Sequence, residues 1–132
     1  MRIKELHLIN FMNISEADFV FDDSMNFIYG QPASGKSALF DAMRITLSTY
    51  KRSSTYGEYV KQGEDNALIT LKVDIFGKTA IFTTTINRVK GNACKRHLEY
   101  DGEIFEDSQV EEWLKSRNID YHAKLAFAMQ NE

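Results

Sequence analysis

The stretch Gly30-Gln31-Pro32-Ala33-Ser34-Gly35-Lys36-Ser37 fits the pattern G-x-x-x-x-G-K-[ST] of a phosphate-binding loop. Its two glycines permit a tight turn in which backbone N–H groups converge on phosphate oxygens. Lys36 adds positive charge near the β- and γ-phosphates, and the Ser37 hydroxyl is placed to ligate Mg²⁺. Immediately upstream, Met25-Asn26-Phe27-Ile28-Tyr29 reads as a short apolar strand. Downstream, residues 37–49 have helical spacing, with Leu39, Ala42, Met43 and Thr46/Leu47 on one apolar face and Asp41 and Arg44 off it. Strand, loop and helix in that order are the context the motif requires. The chain is expected to bind a nucleotide.

The rest of the chain is β-rich. Residues 6–11 and 17–21 read as the two strands of a hairpin. Residues 68–76 alternate inward Ile69, Leu71, Val73 and Ile75 with outward Thr70, Lys72 and Asp74, the period of a half-buried strand. Gly77-Lys78 turns this strand into residues 79–87, which are rich in β-branched side chains. Asp101-Gly102 is a favoured two-residue turn between residues 97–100 and 103–105. Ser108-x-x-Glu111 has the form of a capping box, opening a short helix with Val110, Trp113 and Leu114 on one face. Residues 123–129 read as a last helical or irregular segment.

The 132 residues suit one domain with a true core, and 43 % hydrophobic with 27 % charged residues is a globular balance. A net charge of −3 argues against a generally basic nucleic-acid coat. Cys94 is the only cysteine, so no disulfide framework exists and a reducing, intracellular setting fits. Charge within the first residues excludes a signal core, and no stretch approaches a membrane span. Pro32 is the single proline.

Several residues invite a chemical reading and have a plainer one. His7, His97 and His122 have no metal-ligand spacing with one another or with Cys94. Arg88, Lys90, Lys95 and Arg96 flank a turn around Gly91-Asn92; a solvated turn is the reading preferred over a DNA-backbone contact. Trp113 reads as core. No N-K-x-D guanine-reading motif occurs. No apolar strand ends in an acidic pair suited to a hydrolytic metal site either; Phe19-Val20-Phe21-Asp22-Asp23 comes nearest and reads as a strand entering a turn.

Three groups of segments together resemble the N-terminal head lobe of SMC proteins and their relatives RecF, RecN and the SbcC-type break-repair ATPases. They are Leu8-Ile9-Asn10-Phe11-Met12-Asn13; Asn26-Phe27-Ile28-Tyr29-Gly30 with Ser34-Gly35-Lys36-Ser37-Ala38-Leu39-Phe40-Asp41-Ala42; and Val60-Lys61-Gln62-Gly63 leading into residues 67–76, with Ile86-Asn87-Arg88 and Tyr100-Asp101-Gly102-Glu103. Phe127-Ala128-Met129-Gln130 is similar to that family's Q-loop. The resemblance implies an α/β P-loop NTPase of ABC-head type, a half-domain with a mixed or antiparallel β-subdomain beside the phosphate-loop helix. Residues 1–132 would be a single N-terminal lobe, the coiled coil and C-terminal lobe being absent from this chain.

By the same resemblance the cofactors are ATP and Mg²⁺. Residues Gly30, Gln31, Pro32, Ala33, Ser34, Gly35, Lys36, Ser37 and Ala38 line the nucleotide, Gln130 joins Ser37 on the metal, and Lys36 and Gln130 serve catalysis. Expected partners are the protein's own C-terminal lobe, a second head and DNA, in the cytoplasm, nucleoid or nucleus, with no membrane. The family has Asn-Gly where this loop has Pro32-Ala33: Pro32 lacks an N–H, and Ala33 is less free than glycine to take positive φ. Many relatives also carry a basic residue where this chain has Met12-Asn13. Lys51-Arg52 lies near the place of a phosphate-touching arginine. Rival readings are the ATPase module of an OLD-like or anticodon-nuclease-like defence protein, and a nucleotide sensor without turnover.

Overall fold

A computed structural model describes residues 2–21, 33–47, 56–89 and 93–119. Six strands form one sheet: β1 (Arg2–Phe11), β2 (Ile14–Val20), β3 (Asn66–Ile75), β4 (Lys78–Asn87), β5 (Ala93–Tyr100) and β6 (Glu103–Glu106), in the order β2-β1-β3-β4-β5-β6. All neighbours are antiparallel. Helices α1 (Ala33–Leu47) and α2 (Ser108–Ser116) pack on β3/β4 and on β5/β6 respectively. The first hairpin is longer than its apolar residues alone suggest, because β1 begins at Arg2 and the β1–β2 ladder continues through Glu16 to Ile14. The strand expected at 25–29 and the segment at 123–129 lie outside the described residues.

Sheet register puts the buried large apolar residues of the strands on one face. Leu6, Leu71, Phe82 and Leu98 are successive cross-strand partners, and all are buried. Ile69, Val73 and Ile75 are buried as the alternation predicts, while Thr70, Lys72 and Asp74 stay half-exposed on the other face. Each fully buried aliphatic side chain here contributes about 1.5–3 kcal/mol relative to exposure.

Helix α1 departs from its expected pattern twice. It begins at Ala33, a turn before the expected start; alanine is the best helix former, and a preceding proline is tolerated at a helix beginning. Between residues 38 and 47 it is buried all round except at Phe40, so Asp41 and Arg44 are not on a solvent face. Their charges face each other instead at 3.8 Å, one turn apart. A buried ion pair of this kind offsets its own desolvation more than it adds stability.

Helix α2 buries Val110, Trp113 and Leu114, as its spacing predicts. The expected capping box is not formed. Asp107 holds the cap position at φ 49° and makes no side-chain cap hydrogen bond. Its carboxylate instead accepts the Arg96 backbone N–H at 3.0 Å, and its own N–H donates back to the Arg96 carbonyl at 2.9 Å. Strand β5 thus competes successfully for the acceptor that the helix would have used. Trp113 sits against Tyr100, Phe82 and Phe105 at centroid distances of 5.1, 6.1 and 6.3 Å, with the Arg117 guanidinium 4.2 Å over its ring.

Candidate nucleotide-binding site

The motif residues divide at the helix boundary. Gly30, Gln31 and Pro32 lie outside the described residues; Ala33, Ser34, Gly35, Lys36 and Ser37 form the first turn and a half of α1. The first N–H groups of any helix have no intrahelical acceptor, and the helix dipole adds partial positive charge there. No acidic residue occupies the first turn of α1 to compete for those donors. That donor set suits an anion such as a nucleotide's phosphate. Because Ala33 is helical, positive φ is not demanded of it, and its departure from glycine costs nothing at that position. Ala38 is completely buried, so the helix is anchored one residue after Ser37.

A second cluster gathers where the β1–β2 turn, the start of β3 and the end of β4 meet at one end of the sheet. The turn between β1 and β2 holds Met12 at φ 57°. A 3₁₀ turn, Tyr56–Tyr59, and the residues after it dock onto this hairpin. Met12 N–H donates to the Tyr59 carbonyl at 2.7 Å, and Lys61 N–H to the Asn10 carbonyl at 2.8 Å. The Phe11 and Tyr59 rings stack at 5.8 Å. Lys61 Nζ donates to Ser15 Oγ. Arg88 reaches across from the end of β4 and donates to the carbonyls of Val60 and, at 2.9 Å, Lys61.

Arg88 and Arg96 are therefore not part of a solvated turn: both guanidiniums are held by partners within the chain. Arg96 is buried, and its guanidinium donates to the Tyr56 hydroxyl at 3.3 Å. Nothing in the sequence separates these two arginines from exposed Lys95, since a lone basic residue beside a strand end carries no periodic signal. Cys94, beside Arg96, has its thiol held above the usual value by burial, with Arg96 opposing the shift. Lys90, Lys51-Arg52, His122 and Gln130 fall outside the described residues. Among the described residues no group of three or more metal-ligating side chains is gathered, and no helix is long and apolar enough to cross a membrane.

A family model described as an AAA domain matches residues 5–128. The DNA double-strand break repair Rad50 ATPase of Thermoplasma volcanium is 30 % identical over 139 aligned positions, covering 100 % of this chain and 16 % of that protein. Structural maintenance of chromosomes protein 6 of Schizosaccharomyces pombe is 28 % identical over 83 % of this chain and 11 % of its own length. The DNA replication and repair protein RecF of Agathobacter rectalis is 36 % identical over 56 % of this chain and 21 % of its own length. A solved structure of the recombination mediator protein RecF, as RecF-ATPrS, superposes with a TM-score of 0.53 at 24 % identity, covering 78 % of this chain and 27 % of that one. This likeness bears out the α/β P-loop fold class with an antiparallel β-subdomain. The chain spans about one sixth of the Rad50 relative's length, 16 %. It belongs to the AAA domain family, as a lobe of the kind shared by Rad50, SMC and RecF proteins.

Proposed function

We propose that this chain is the N-terminal ATP-binding lobe of an SMC-like ATPase. The whole protein would act on DNA, in repair, recombination or chromosome maintenance, through ATP-driven engagement of two heads. The observation that carries this reading is the phosphate-loop sequence at residues 30–37 running into α1, whose first turn bears no competing acid. The repair and chromosome names of the relatives support it.

In this reading the N–H groups of residues 30–37 other than Pro32 would hold the phosphates, and Ser37 with Gln130 would hold Mg²⁺. Lys36 neutralises charge that develops on the phosphoryl oxygens. ATP supplies the phosphoanhydride whose cleavage resets the heads. An acidic metal ligand and a base must come from outside residues 1–132, which assigns them to the C-terminal lobe. The signature contact to the phosphates would come from a second head. A DNA-directed role of this kind is intracellular.

The test is ATP turnover by this chain mixed with its downstream half, with and without DNA, and with Lys36→Ala. Turnover that requires both halves and is lost with Lys36→Ala is expected. Turnover unchanged by Lys36→Ala would remove the lysine from its assigned role.

A further inference from the structure

Register places Asp18, His7, Thr70, Thr83, His97 and Glu106 in one continuous row across all six strands. The row lies on the face opposite α1 and α2, and at ordinary strand spacing it is about 24 Å long. Its two ends repeat one arrangement. His7 has Asp18 at Nδ1 and Glu16 3.5 Å from Nε2. His97 has Glu106 at 3.1 Å from Nδ1 and Glu99 at 3.5 Å from Nε2. Between the ends the row holds only threonines, with half-buried Ile9, Leu68 and Ile81 beside them and Lys72 and Lys95 as the basic side chains of that central part of the face.

Two shallow concavities open on this face. One, of about 500 Å³, is lined in part by Glu5, Asp18 and Val20, with Lys72 drawn to Glu5 at 3.5 Å. The other, of about 320 Å³, has Ile81 and Ile104 as apolar walls, Glu99 and Glu103 at its rim, and no basic residue in its lining. Ile104 is 62 % exposed. An apolar wall under a carboxylate rim fits a long cationic side chain, whose methylenes cover the wall while its head meets the acid. A phosphate backbone meets like charge at both ends of the row.

We propose that this sheet face, on which none of the described helices packs, docks a lysine- and arginine-rich surface of a partner polypeptide, and that DNA is excluded from it. The proposal goes beyond the nucleotide reading and does not depend on it. Carboxylates at both flanks, a threonine and isoleucine centre, and two shallow recesses with acidic residues in their linings make one surface of that chemistry.

A fluorescent nona-lysine peptide titrated into the full chain tests this directly. The variant Glu16→Gln/Asp18→Asn/Glu99→Gln should weaken binding about tenfold, and the exposed control Glu64→Gln/Asp65→Asn/Glu112→Gln less than about twofold. Carbodiimide cross-linking of the same peptide to the unmodified chain gives a second reading that does not depend on the variant folding. Cross-links concentrated at Glu16, Asp18, Glu99 and Glu106 support the proposal. Equal losses in the two variants, cross-links spread to Glu58, Glu64 and Glu112, or a short DNA duplex that protects the face carboxylates would overturn it.

Discussion

Phe76 and Asp101 occupy the same position in two adjacent hairpins, each the first residue of a two-residue turn followed by glycine. Their φ angles are 52° and 53°, and those of Gly77 and Gly102 are 78° and 80°. Both turns therefore have the primed geometry that matches strand twist. They lie side by side, since Lys78 Nζ is 2.7 Å from Asp101 and the Tyr100 hydroxyl donates to the Ile75 carbonyl at 2.7 Å. Aspartate tolerates this backbone conformation; an aromatic side chain does so at a cost.

Phe76→Asn should therefore stabilise the fold. Phe76 is 77 % exposed, so little packing is lost and backbone strain is relieved. We expect a gain of about 0.5–1 kcal/mol in urea unfolding. A loss of stability would show that the ring is packed against something that holds it.

Lys78 carries a raised pKa through its hydrogen bond to Asp101. A base whose folded value is raised contributes its stability fully below the unfolded value and loses it as pH rises through the folded one. Unfolding curves above the ordinary lysine value of 10.5 should show a small decline that Asp101→Asn abolishes. The pair is solvent-exposed, so the effect is screened and should shrink further with added salt.

Burial holds the Cys94 thiol in its neutral form. Iodoacetamide at mildly alkaline pH should therefore modify the folded chain more slowly than the urea-unfolded chain, because the thiolate is the nucleophile. As pH rises past the ordinary thiol value, the unfolded state ionises first and stability declines. Alkylation of the folded chain at the unfolded rate would contradict this.

Arg88→Ala should leave the carbonyls of Val60 and Lys61 without their charged donor. A loss of about 1.5–3 kcal/mol is expected, with Arg88→Lys recovering part of it. Hydrogen exchange should report the opening first at the Met12 and Lys61 amides, which tie the docked segment to the hairpin. Leu71→Ala, at a fully buried position in the sheet, should cost about 2–5 kcal/mol without that local signature.

Lys36→Ala should weaken binding of a fluorescent ATP analogue roughly tenfold to a hundredfold, the worth of one charged hydrogen bond, while circular dichroism stays unchanged. Equal binding by the variant would remove the lysine from the phosphate contact.

The period-two alternation of residues 67–75 alone specified which face of β3 is buried, because one wrong step would have exposed Leu71 and Val73. Asp101-Gly102 and the spacing of Val110, Trp113 and Leu114 were equally self-sufficient, since a turn and a helix face are set by neighbours in the chain. The phosphate-loop motif is local in the same sense, a pattern of eight consecutive residues, and its binding role is part of the proposed function.

Tertiary structure decided what depends on distant partners. Asp107 took the cap position ahead of Ser108, so the expected box did not form, and it gave its carboxylate to Arg96 instead of to its own helix. Asp41 and Arg44 were enclosed, although their spacing placed them off the apolar stripe. Arg88 became a clamp only because β4 ends beside Val60, and four strands had to pair before His7 and His97 shared one row. Local pattern determines an element and its inward side; whom a polar group meets is settled by the sheet order, through contacts many residues apart.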